Sequence, residues 1–139
     1  ENNVRKVILE QSPINPKYYE KMSQLLESLI EQRRQDAVAY EEYLARIEDL
    51  ARKVHVGPSG AAYPKSMRTK ALRALYDNLG QDETLAMKVH EAVGAVAQDD
   101  WKKHPVKMKS VRLALKEILG DDEERLAQVF QLVQAQHEY

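Results

Sequence analysis

"NPKYYEKMSQLLESLIEQRRQDAVAYEEYLARIEDLARKV", residues 15 to 54, decides the fold class. Asn15 is suited to accept from the orphan amides of a first helical turn. Pro16 has its φ already set for a helix, so the pair marks an N-terminus. From there apolar side chains recur at Tyr19, Met22, Leu26 and Leu29, then at Tyr40, Tyr43, Ile47, Leu50 and Val54. Steps of three and four residues trace one face of an α-helix, whereas a half-buried strand would alternate every second residue. Ile30, Ala37, Leu44 and Ala51 lie beside that seam and widen it to about three apolar positions per heptad. That is the stripe of a helix packed among neighbours rather than the narrow seam of a two-stranded zipper.

The stripe has one gap. Where the register asks for apolar residues between Leu29 and Tyr40 stand Arg33 and Asp36, inside the polar run "EQRRQD". A continuous helix from residue 16 to about 54 would span roughly 58 Å at about 1.5 Å per residue, longer than a compact domain of this mass is wide. Three resolutions are open: the helix bends or breaks at this polar waist, its halves pack into different clusters, or one end docks onto protein outside these residues. Arg33 and Asp36 stand at i, i+3 and can simply pair on a solvated stretch. With Arg34 they also form a candidate contact surface.

"VGPSGAAYP", residues 56 to 64, carries the glycines, prolines and serine of a surface loop and is the best internal boundary. The expected organisation is an N-terminal segment and long helix over 1–56, a loop over 57–64, and two helical hairpins over 65–139, together one structural domain. In "SMRTKALRALYDNLG", Leu72, Leu75, Tyr76 and Leu79 share a side, and Gly80 is the left-handed stop. Asp82 caps the next segment, which aligns Leu85, Val89, Ala92, Val93 and Val96. After a break near "QDDWKKHP", a third segment aligns Val111, Ala114, Leu115, Ile118 and Leu119 before Gly120, and a fourth groups Leu126, Val129, Phe130 and Val133. A shift of 40 residues lays Ala74, Leu75, Leu79, Gly80, Asp82, Glu83, Val89 and Val93 over identical residues. Either a duplication or the same capping grammar used twice accounts for this. In both cases two antiparallel hairpins should stack on one another and on part of the long helix. The fold class is all-α: a helical bundle with one long helix, straight or kinked, followed by two stacked αα-hairpins.

Composition excludes several chemistries. The 139 residues include no cysteine, which removes disulfide scaffolds, thiol nucleophiles and thiolate metal sites and agrees with a reducing, cytoplasmic compartment. No apolar run approaches the ~20 residues needed to cross a bilayer, so no membrane role is expected. His55, His90, His104 and His137 are far apart, and "HEAVG" at His90 lacks the second histidine a helical zinc site needs. No phosphate-cradling Gly–Lys–Ser/Thr loop, nuclease Glu-x-Lys or nucleophile elbow occurs. Asp99-Asp100 and Asp121-Asp122 stand where helix capping explains them. The chain alone is therefore expected to be no enzyme, with no catalytic, cofactor-binding or metal residues.

What remains is surface. The net charge of −1 hides alternation: residues 101 to 116 carry six basic and no acidic side chains, and residues 117 to 139 one basic against six acidic. The six are Lys102, Lys103, Lys107, Lys109, Arg112 and Lys116, gathered around the only tryptophan, Trp101. On a helix Lys109, Arg112 and Lys116 share a side and suit phosphates or an acidic partner. If all six met phosphates, affinity would fall with about the fifth power of salt concentration. The alternative is a solvated basic face balancing its acidic neighbours, with Trp101 a core anchor.

"ENNVRKVI", "NPKYYEKMS" followed by "LIEQRR", "ALYDNLG", and "QDDWKK" followed by "VRLALKEILG" together resemble the C-terminal region of the R subunit of type I restriction-modification enzymes. The resemblance covers nearly the whole chain except about 56–62. It implies that the chain is a piece of a bacterial or archaeal ATP-dependent, DNA-translocating endonuclease, whose Mg- and ATP-using catalytic motifs lie elsewhere. Its helices would attach the motor subunit to the methyltransferase subunit, the partner expected here. Contact with duplex DNA in support of the motor, or a passive brace against it, are the other readings. Glu1 would then be a cut point, and Val4, Val7 and Ile8 the stripe of a truncated element that packs back on the bundle or hangs loose.

Overall fold

The computed structural model describes residues 1–58 and 63–139. The stretch 59–62 of the expected loop lies outside the described residues. The protein is all-α: seven α-helices and a short 3₁₀ turn, with no strand among the described residues. It divides into two compact units, Glu1–Ala62 and Tyr63–Tyr139, separating at the loop that marks the boundary in the sequence.

The first unit holds α1 (Asn2–Gln11), α2 (Pro16–Arg34) and α3 (Tyr40–Val56). Asn15 caps α2 as its sequence requires, its side chain accepting from the Tyr18 amide at 3.3 Å, with Pro16 in the first turn. Of the three resolutions open to the long helix, the structure shows a break at the polar waist, which leaves two helices. Asp36 adopts a left-handed φ of 54°. Its amide donates to the Arg33 carbonyl (3.0 Å) and that of Ala37 to the Gln32 carbonyl (2.9 Å), the paired bonds of a Schellman stop. Arg33 holds the turn by donating to the Val38 carbonyl at 3.2 Å and lying 3.6 Å from the Asp36 carboxylate. Val38 is buried there with Leu29 and Tyr43.

The break lets both apolar stripes bury against each other. The Tyr18 hydroxyl donates to the Lys53 carbonyl at 3.2 Å, and Arg46 donates to Gln32 at 3.0 Å, so α2 and α3 run antiparallel. Helix α1 packs back on both: Arg5 pairs with Glu27 at 2.7 Å, and the Tyr43 hydroxyl donates to the Glu1 carboxylate. Val4 and Ile8 join Tyr19, Met22, Leu26, Leu50 and Val54 in one core.

The second unit is built from α4 (Lys70–Asn78), α5 (Glu83–Val96), the 3₁₀ turn Trp101–Lys103, α6 (Pro105–Leu119) and α7 (Glu123–Ala135). Its two hairpins match the repeat. Asp82 accepts from the Leu85 amide at 3.0 Å and Asp122 from the Arg125 amide at 3.1 Å, each a helix N-cap. Helix α4 packs on α5 and α7, and α6 on α7 and α5, as a twofold relation between the hairpins would arrange them. Leu75, Leu115, Val89, Val93 and Val133 share the core with Val129. Ala86 and Leu132, which the sequence reading did not assign, are buried there too. The two glycines serve differently. Gly80 (φ 72°) follows the cap Leu79, and the Gln81 amide reaches back to the Tyr76 carbonyl at 2.9 Å. Gly120 (φ 77°) is itself the cap, donating to the Lys116 carbonyl at 2.9 Å.

Candidate interaction surface

The basic ridge is placed by the connection between α5 and α6. Asp100 takes a left-handed φ of 60° and turns the chain into the 3₁₀ turn, which inserts Trp101 into the second unit's core at 3 % exposure. The indole meets Phe130 edge-on with centroids 6.2 Å apart, so Trp101 is a core anchor. Its Nε1 has no hydrogen-bond partner among the described residues. His104 is extended, as the residue before a proline prefers, and Pro105 begins α6.

The six cations then part company. Lys102 donates to the Gln136 carbonyl and lies 5.8 Å from the Trp101 ring centre, and burial holds its ammonium below the usual lysine pKa. Lys107 donates to the Asp99 carbonyl at 2.9 Å. Both are engaged in holding the connection and the segment after α7. Lys103, Lys109, Arg112 and Lys116 are exposed, the last three along one side of α6. Arg112 stacks over Phe130, its Cζ 5.6 Å from the ring centre. Two residues that the sequence reading passed over share this outer face: Val106 is 80 % exposed and Leu113 is 53 % exposed. The signal for them was present, since both fall off the buried stripe of α6.

The three residues of the waist belong to the first unit. Arg33 lies 5.3 Å from the Tyr40 ring centre as well as on its turn partners, and Arg34 pairs with Glu31 at 3.4 Å. The Asp36 side chain is largely exposed. Arg33 and Asp36 are accounted for by the stop they build between α2 and α3, which is the local pairing that their spacing allows. The same unit carries a shallow cleft of about 210 Å³ between α2 and α3, lined by Leu25, Ser28, Gln32, Arg46, Asp49 and Lys53 among others. Arg46 is tied there to Glu42 at 2.6 Å and to Gln32, and Lys53 to Asp49 at 3.3 Å.

Among the described residues no three His, Asp or Glu side chains gather where they could hold a metal ion, and no helix is long and apolar enough to cross a membrane. Comparisons with family models, with curated proteins and with solved structures gave no match.

Proposed function

We propose that this chain is a non-catalytic helical docking domain, the C-terminal part of the R subunit of a type I restriction-modification enzyme, which attaches the motor to the methyltransferase subunit in the cytoplasm. The parent would use ATP and Mg to translocate and cut DNA. This part would carry none of that chemistry. The family assignment is supported by the blocks of sequence quoted above. The observation that carries a docking role is the outer face of α6, where Lys109, Arg112 and Lys116 stand exposed while Val111 and Leu115 on the opposite side are fully buried. A surface helix turns a polar face to water as a rule; this one concentrates cations there, which supports contact with an acidic macromolecule.

A pull-down of the purified chain by the methyltransferase complex, with and without duplex DNA, tests the reading. Retention independent of DNA supports it, and no retention in either condition refutes it.

A second reading, direct contact with duplex DNA, draws on the same exposed cations. Because Lys102 and Lys107 are committed to backbone carbonyls, four rather than six remain for phosphates. The salt exponent then drops to about 3.6, at roughly 0.9 per contact.

A further inference from the structure

The outer face of α6 is not uniformly basic. Val106, Lys109, Leu113 and Lys116 follow one another at steps of three, four and three residues, so the two aliphatic and the two cationic side chains each repeat every heptad. One heptad is about 10.5 Å along the axis, the interval at which a second helix presents its own repeating side chains. Val106 at 80 % and Leu113 at 53 % exposure are among the most exposed large hydrophobics of the protein. The side chains of Lys109 and Lys116 make no hydrogen bond or ion pair among the described residues.

We infer that this face is a docking seam for one amphipathic α-helix of an acidic protein partner, its apolar side chains seated on Val106 and Leu113 and its carboxylates on Lys109 and Lys116. The assembly reading above supplies the identity of the partner but not the chemistry of the seam. Charge complementarity selects an acidic helix: α6 carries a single acidic residue, Glu117, beside the seam. The aliphatic pair selects protein over nucleic acid, because phosphate contacts come from N–H and O–H donors and branched aliphatics give the DNA backbone nothing. Lysine stems flanking an apolar strip extend it while their ammonium groups stay at the edge, as at the e and g positions of a coiled coil. Two aliphatic side chains bury little area, so the seam is one part of a larger interface.

The test is fluorescence anisotropy with three labelled probes: a helical peptide with Leu at its heptad core positions and Glu flanking them, the same peptide with Lys for Glu, and a random DNA duplex. The Glu peptide is expected to bind saturably. Leu113→Asp, at an exposed site, should weaken it at least tenfold with the circular dichroism spectrum unchanged. The double variant Lys109→Glu, Lys116→Glu should also weaken it at least tenfold and gain the Lys peptide. Absence of Glu-peptide binding, or binding indifferent to Leu113→Asp, overturns the seam. So does duplex binding that loses affinity on charge reversal yet survives Leu113→Asp, which would make the face a phosphate ridge. Retention by the methyltransferase complex alongside any of these results would leave the assembly reading standing and remove only the seam.

Discussion

Asp36 turns what reads as one helix into two, and it does so at a cost. A residue with a Cβ loses roughly 1–2 kcal/mol in the left-handed region, where glycine loses nothing. Asp36→Gly is therefore expected to raise the first unit's stability by about 0.5–1 kcal/mol in chemical denaturation, after allowing for glycine's greater freedom in the unfolded chain. The exposed pairing with Arg33 that it gives up contributes little. Tyr139 and Tyr19 make a different statement. Burial, then the neighbouring Glu138, pushes the Tyr139 phenol well above its ordinary value, and burial, then Tyr18, raises Tyr19. A raised folded-state value means the folded form holds its proton more tightly. The stabilisation is complete below about pH 10 and is lost as pH rises from there through the raised values. Titration followed by phenolate absorbance should show phenolate still forming well above pH 10 as Tyr19 and Tyr139 ionise, together with falling stability. Seven tyrosines ionising as one group near pH 10 would contradict this burial.

At the scale of the element, the N-caps and the buried leucines set the expectations. Asp82→Ala and Asp122→Ala each remove a side-chain acceptor from a first-turn amide and should each cost about 1 kcal/mol of the second unit's stability. Leu75 and Leu115 are both fully buried at matching positions of the two hairpins. Replacing either with Ala should cost about 2–5 kcal/mol, read by thermal or chemical denaturation. These elements were legible because their signals are local. Asn15-Pro16, Asp82, Asp122 and Gly80 announce helix ends by side-chain chemistry, and three- and four-residue spacing announces the buried faces. The break at Asp36 was legible as a gap in the stripe and as excess helix length, but not as a stop signal, since neither glycine nor proline stands there. Ala86 escaped because a methyl side chain carries little periodic signal. On the ridge, the charges were plain in the sequence, but the loss of Lys102 and Lys107 to the carbonyls of Gln136 and Asp99 was not, because hydrogen bonds to backbone acceptors leave no trace in residue type. Val106 and Leu113 were legible too, since both fall off the buried stripe of α6, and their exposure bears out that register.

For the molecule as a whole, each of the two helical units has an apolar core of its own, and the proposed roles draw on exposed side chains. Purified chain added to a random DNA duplex discriminates the two outward roles. If docking on protein is the main one, binding should be weak at physiological salt, with a slope well below the ~3.6 that four phosphate contacts would give. Tight binding with a slope of about 3.6 or steeper would favour direct contact with DNA. The proposed attachment to a methyltransferase subunit can be read out by displacement. Labelled whole R subunit is bound to the methyltransferase core and challenged with increasing amounts of this chain. Dose-dependent displacement is expected, weakened at least tenfold by the double variant Lys109→Glu, Lys116→Glu. Whole R subunit that stays bound at saturating concentrations of the folded chain would contradict it.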